Sequence, residues 1–321
     1  MLDAIETEFA VEPSDLERHV RRSWQQPMDG DQRPLARTTT MNVIAVAPVA
    51  DEALLRSALR TLFHQSPCIA FLVFLTDREA PLETSFGVHT EKGPHSRRVL
   101  LECVTMRAGR SERRRIPSLV RPLLLDDLPT QFFWAGAVPA DAGLLYALGS
   151  LADQVVYDSS LFADPDADRR RMESFRLGAL DLTWTRLRAW RRALAEAFEH
   201  HSLRSGDGIE VVIEHGDTMG TRAASLVLAH WIESRLGTKV EIVARPKPDA
   251  PASEPCALHL RTRSSELHIE HCWPNAQLRV SMALPHANPV PYEVRSPALS
   301  RGELLALAAR ELGIGSARPM A

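Results

Sequence analysis

Residues 38–76 read TTTMNVIAVAPVADEALLRSALRTLFHQSPCIAFLVFLT, and this stretch decides the fold class. Thr38–Ala47 is β-rich and apolar, the pattern of a buried strand. Ala53–Phe63 follows with Leu54, Leu55, Leu59 and Leu62 at helical spacing, and Ile69–Thr76 returns to the buried-strand pattern. Strand, helix and strand of these lengths predict a βαβ unit.

Upstream, Pro13–Ser23 predicts a short helix begun by Ser14 or Asp15, and Gln25–Pro34 a polar loop. Downstream, strands are expected at Ser85–Thr90 and Val99–Arg107, then a helix over Ser111–Leu124. Short apolar pieces at Gln131–Trp134 and Gln154–Tyr157 flank a helical Ala142–Leu151. Two helical stretches come next, Asp166–Gly178 and Leu182–His200. The second opens on Asp181 as N-cap and lines up Leu187, Trp190, Leu194 and Phe198 on one face. Ser202–Gly208 is a polar connector, and the domain boundary is placed there.

The second half predicts a strand at Glu210–Glu214, a helix at Thr218–Leu236 ended by Gly237, and a strand at Lys239–Ala244. After a proline-rich loop, Cys256–Thr262 and Glu266–Trp273 form a hairpin. Leu258, Leu260, Leu267 and Ile269 share one face of it, because a slip of one residue would put leucines into water. Leu278, Val280, Met282 and Leu284 alternate as a third strand. Ser300 and Glu303 form a capping box for a last helix, Ser300–Leu312. The fold expected is α/β, with an α+β tendency in the C-terminal half: two mixed sheets covered by helices. The segments are a helix and loop over 1–36, an α/β domain with a helical extension over 37–205, and a second α/β domain over 206–321.

Composition narrows the function classes. A net charge of −3 argues against a general nucleic-acid binder. No apolar run is long enough to span a bilayer, and MLDAIETEFA lacks the basic start and apolar stretch of a signal peptide. Cys68, Cys103, Cys256 and Cys272 are widely separated, which reads as reduced thiols in a cytoplasmic protein.

Five pieces, in order, resemble the OpcA family, the assembly or activator proteins of glucose-6-phosphate dehydrogenase. They are Arg37–Val43 (R-T-x-x-x-N), Leu123–Trp134 (L-L-x-x-D-L-P followed by tryptophan), Asp153–Ser160 (D-R-V-I-V-D-S-S), Asp181–Arg191 (D-L-x-W-x-R-L-x-P-W-R) and Ala229–Gly237 (G-W-L-x-S-R-L-G). Phe133, Ala189 and His230 depart from the family pattern, standing where tryptophan, proline and glycine are frequent. The resemblance implies a partner that binds the dehydrogenase and promotes its assembly or active state. It brings no catalytic residues and no cofactor or metal.

Asp158-Ser159-Ser160 lacks the G-x-S-x-G surroundings of a nucleophile elbow and reads as a capped strand end. His215–Arg222 links a strand to a helix; Thr218, Thr221 and Arg222 there are an alternative anion site for a sugar phosphate or nucleotide, against the plainer reading of N-cap and turn. His259, His268, His271 and Cys272 raise zinc, but strand alternation divides them between two faces. Arg113-Arg114-Arg115, with Arg107, Arg110 and Arg121 nearby, reads as a solvated face or a surface for an acidic partner. For a partner interface the candidates are Asp127, Pro129, Phe133, Trp134, Trp184, Arg186, Arg188 and Arg191, because aromatics and arginine dominate binding hot spots. A self-associating structural module remains a third reading.

Overall fold

The structure, a computed structural model, describes residues 5–25, 39–92, 98–138, 142–173, 179–201, 208–245, 253–272, 275–287 and 289–315. The chain sorts into two compact units. One holds Met1–Tyr157, Phe175–Leu180 and Ser300–Ala321, the other Asp158–Ser174 and Asp181–Leu299. The expected connector at Ser202–Gly208 falls almost wholly on residues 202–207, outside the described ones.

The first unit runs β1 (Ile5–Val11), α1 (Leu16–Gln25), β2 (Met41–Pro48), α2 (Glu52–Gln65), β3 (Cys68–Leu75), β4 (Glu83–Lys92), β5 (Arg98–Ala108), α3 (Ile116–Val120), β6 (Thr130–Trp134), α4 (Gly143–Gly149) and β7 (Gln154–Tyr157). Met41–Ala47 and Cys68–Phe74 are buried at every position, which explains their unbroken apolar reading. Strands β5, β3, β2, β6 and β7 lie side by side in parallel, and β4 and then β1 extend the sheet antiparallel beyond β5.

Two sequence expectations need correcting here. The N-terminal segment holds a strand, β1, ahead of its helix; Ile5, Thr7, Phe9 and Val11 alternate with Glu6, Glu8 and Ala10 as a strand should. The helix expected at Ser111–Leu124 is broken into a 3-10 turn (Ser111–Arg115), α3, and a second 3-10 turn (Arg121–Leu123). Pro117 and Pro122 lack the N–H that a continuous helix would need.

The second unit holds α5 (Pro165–Glu173), α6 (Leu182–Arg186), α7 (Arg188–His201), β9 (Glu210–His215), α8 (Met219–Leu236), β10 (Val240–Ala244), β11 (Ala257–Arg261), β12 (Glu266–Cys272), β13 (Gln277–Ala283) and β14 (Tyr292–Arg295). A three-residue strand, β8 (Ala179–Asp181), stands beside β7 at the edge of the first sheet. The helix expected at Leu182–His200 is two helices that part at Leu187. The second sheet has the order β10-β9-β11-β12-β13-β14, and of its pairs only β10 with β9 is parallel. The hairpin register is the expected one, with Leu258 opposite Ile269 and Leu260 opposite Leu267. Trp190, Leu194, Leu228 and Ile232 pack with Ile213, Leu260, Ile269 and Val280 in one core. Gly237 ends α8 at φ 66°, as its position after the last apolar turn predicts.

The last helix, α9 (Arg301–Gly315), belongs to the first unit and packs on α2. Gly302 makes the approach: a Cβ there would sit 2.5 Å from the Ala58 carbonyl oxygen and 2.6 Å from Thr61 Cβ. The Ser300–Glu303 capping box forms as expected, with the Ser300 N–H donating to Glu303 at 2.8 Å. Among the described residues, no helix is long and apolar enough to cross a membrane.

Asn42, fully buried on β2, fastens the turn that leads into β6. Its amide nitrogen donates to the carbonyls of Leu125 (3.0 Å) and Leu128 (3.2 Å) and to Thr130 Oγ1 (3.1 Å). Its carbonyl accepts from the Leu125 N–H at 3.1 Å. Replacing it strands several buried groups at once. Asn42→Ala is expected to cost about 2–4 kcal/mol in urea unfolding, against a near-neutral effect of Thr40→Ala at the exposed start of the same strand.

Candidate functional site

The residues of the D-S-S and D-L-x-W-x-R-L pieces, more than twenty positions apart in sequence, meet in the second unit. Asp158 follows β7 and is fully buried; Arg186, at the end of α6, reaches it with two nitrogens at 3.3 and 3.5 Å. The Ser160 hydroxyl and N–H also donate to Asp158, and the Thr183 hydroxyl lies 3.3 Å away. Asp181 caps α6, accepting from the Thr183 N–H at 2.9 Å and from the Ser159 N–H at 3.1 Å. Burial, reinforced by the neighbouring Asp158 charge, raises its carboxyl to about 6 despite those hydrogen bonds. Ser159 is thus buried and Ser160 is turned back on Asp158, a set of caps rather than an activated hydroxyl.

A second buried acid, Glu254, sits beside Trp190. It accepts from the indole N–H at 3.2 Å and from the Ser296 hydroxyl at 3.3 Å, and His271 Nε2 is 3.7 Å away. Burial raises its carboxyl to about 7, only partly opposed by the Trp190 bond, the Arg186 charge and the Ser296 bond. Burial lowers His271 to about 4, so its ring is neutral. Sequence reasoning singled out Trp190 but missed Glu254 and Ser296, which lie among loop residues and strand ends with no pattern to mark them.

The interface candidates separate cleanly by exposure. Phe133 is fully buried and Trp134 is buried in β6 with its indole N–H on the Ala137 carbonyl, so neither stands on an exposed outer face. Arg186 is likewise taken inside by Asp158. Trp184 is half-buried, edge-on to Trp231 at 6.1 Å, and the Arg191 guanidinium lies 3.5 Å from the Trp184 ring centre. Arg188 is exposed beside them on α7, and in the first unit Asp127 is exposed and Pro129 half-buried. Of the three departures from the family pattern, Phe133 is in the sheet, Ala189 packs against the core, and only His230 stands on the surface.

The alternative anion turn is closed on itself. Thr218 caps α8 by accepting from the Thr221 N–H at 3.1 Å, and the Thr221 hydroxyl, buried, donates to the Gly216 and Thr218 carbonyls at 2.9 and 2.8 Å. Arg222 is exposed, as is Asp217, whose charge opposes an anion there. His259 and His268 stack at 4.4 Å between ring centres across the hairpin. Among the described residues, no three His, Cys, Asp or Glu side chains converge as a metal site. In the first unit, burial and then the nearby Cys103 push the Cys68 thiol well above its ordinary range.

Two family models match this chain: the glucose-6-phosphate dehydrogenase subunit N-terminal domain over residues 58–174 and the corresponding C-terminal domain over residues 177–315. A protein of Synechococcus elongatus named OxPP cycle protein OpcA is 30% identical over 181 residues, 54% of this chain and 40% of its own length. Its namesake in Synechocystis sp. is 28% identical over 182 residues, 55% of this chain and 38% of its own. The matched segment thus spans about two fifths of each curated relative. Among solved structures, an oxidoreductase from Sinorhizobium meliloti aligns at TM-score 0.48 and 10% identity, over 88% of this chain and 91% of that one.

Glu254 gives the site a testable pH signature. A carboxyl raised from 4.5 to about 7 on folding costs nothing below the unfolded value, and stability is lost as pH rises through the folded one. Glu254→Gln removes that loss while keeping an acceptor for Trp190. The variant is therefore expected to gain on the wild type by up to about 3 kcal/mol between pH about 5 and about 8. Paired urea melts across that range check it; parallel pH profiles would place an ordinary, solvated carboxylate at 254.

Proposed function

We propose that this chain, which belongs to the OpcA family of glucose-6-phosphate dehydrogenase subunit proteins, is a non-catalytic partner that binds the dehydrogenase and promotes its assembly or allosteric activation. The observation that carries the reading is the pair of family models matched in order over residues 58–174 and 177–315. In this role the chain supports the oxidative pentose phosphate pathway. A protein that binds an active oligomer better than an inactive one shifts the population by its differential affinity.

The surface we assign to docking in the second unit is built on Trp184 and Trp231, flanked by Arg188 and Arg191. The aromatic pair supplies contact area with little rotamer entropy left to lose, since Arg191 already holds the Trp184 ring. Arg188 offers an exposed guanidinium to an acidic surface. Asp127 and Pro129 are a second candidate patch, in the first unit.

Size-exclusion chromatography with the cognate dehydrogenase tests the proposal. Co-elution together with a change in oligomeric state or activity is expected, and Arg188→Glu should weaken binding about tenfold or more while the chain still unfolds cooperatively. Independent elution with unchanged dehydrogenase activity would refute it.

A further inference from the structure

The first unit contains a cavity of about 1310 Å³ at the C-terminal ends of β2, β3 and β6. Strand β2 is parallel to both neighbours, β3 on one side and β6 on the other, so the strand order reverses at β2. Crevices at such reversal points are where open parallel sheets bind ligands. The floor is apolar, formed by Val46, Leu75 and Trp134. One wall is Arg110 and the 3-10 turn that follows it, with Arg113 and Arg114; Asp77 and Glu79 line the cavity beside them.

The charges on that wall are unequal. Arg113 is held at the end of β3, donating to the Thr76 carbonyl and the Asp77 carboxylate, each at 2.8 Å. Its Nε is buried and has no acceptor among the described residues. Asp77, so paired, is held below its usual carboxylate range by Arg113, and the Ser111 hydroxyl does the same for Glu79. Arg110 and Arg114 are exposed at the cavity and make no ion pair among the described residues. An anion entering here meets the Arg114 guanidinium and that of Arg110, whose charge also acts on Asp77 and Glu79.

The opposite lip offers no glycine cradle for a pyrophosphate. After β2 the chain reads Pro48-Val49-Ala50-Asp51 and enters α2 at Glu52; no glycine there lets a pyrophosphate approach closely, and Pro48 has no N–H to offer it. In doubly wound sheets the end of the second strand reads the ribose 2′ position, with a carboxylate for a hydroxyl or an arginine for a phosphate. Here that end is β3, its carboxylate is occupied by Arg113, and arginines surround it. The cavity is also larger than the 300–1000 Å³ range of ordinary small-molecule sites, ample for a nucleotide.

We infer that this crevice binds a 2′-phosphorylated adenine nucleotide, with the phosphate on Arg110 and Arg114 and the apolar part on the Val46–Leu75–Trp134 floor. The inference uses none of the residues of the docking surface proposed in the second unit, so failure of either leaves the other intact. Thermal unfolding and titration calorimetry of the full chain, with 2′-AMP, NADP+, 5′-AMP, NAD+ and inorganic phosphate as probes, decide the matter.

Millimolar 2′-AMP and NADP+ are expected to raise the midpoint by about 2–5 °C, and 5′-AMP and NAD+ by less than half as much. Arg110→Gln with Arg114→Gln should abolish the shift without moving the ligand-free midpoint, both side chains being exposed. Calorimetry on the unaltered chain answers independently of the variant. The inference is overturned if no 2′-phosphorylated nucleotide binds, if NAD+ matches NADP+, if inorganic phosphate alone gives the full shift, or if the double variant keeps it.

Discussion

A fully buried carboxylate has to be compensated, and Asp158 is compensated by Arg186. The charge of either, left alone inside the protein, would cost several kcal/mol. The pair ties the residue that follows β7 to the end of α6, with Asp181 and Thr183 closing the gap through N-cap bonds. From α6 the chain turns at Leu187 into α7, which places Trp190 on Glu254 and fills the second core. Asn42 does comparable work in the first unit, holding the L-D-D-L-P turn against β2.

These fastenings explain why the ordered family pieces look the way they do. Asn42 of the first piece bonds the loop of the second, and Asp158 and Ser159 of the third bond Arg186 and Asp181 of the fourth. Much of the family signature is therefore internal polar structure; in its fourth piece Arg188 is exposed, and Trp184 and Arg191 are half-buried against each other. The two substitutions at Phe133 and Ala189 are absorbed by packing, which leaves His230 as the departure that stands on the surface.

The fold was legible wherever one periodicity held long enough. The buried strands β2 and β3, the β11–β12 register, the Gly237 stop and the Ser300 cap all follow from local rules. The breaks were less legible. Pro117 and Pro122 divide a stretch that otherwise reads as helix, and the turn at Leu187, whose N–H bonds the Thr183 carbonyl, has no glycine or proline to mark it. Nor could α9 be assigned to the first unit from its own residues, because the notch that receives it is Gly302 against Ala58 and Thr61. For the site, residue type pointed to Arg186 and Arg188 alike, but pattern alone did not separate Arg186, which Asp158 draws inside, from Arg188, which is exposed. The cavity of the first unit went unread because it is made by strand ends that are remote in sequence.

The account turns on Arg186 being an internal partner and not a docking residue. A double-mutant cycle of Asp158→Asn and Arg186→Met, read by urea unfolding, measures that directly. The pair is predicted to couple by at least about 2 kcal/mol, each single change being far more damaging than its share of the double. A coupling within about 0.5 kcal/mol of zero would contradict the account and return Arg186 to the surface.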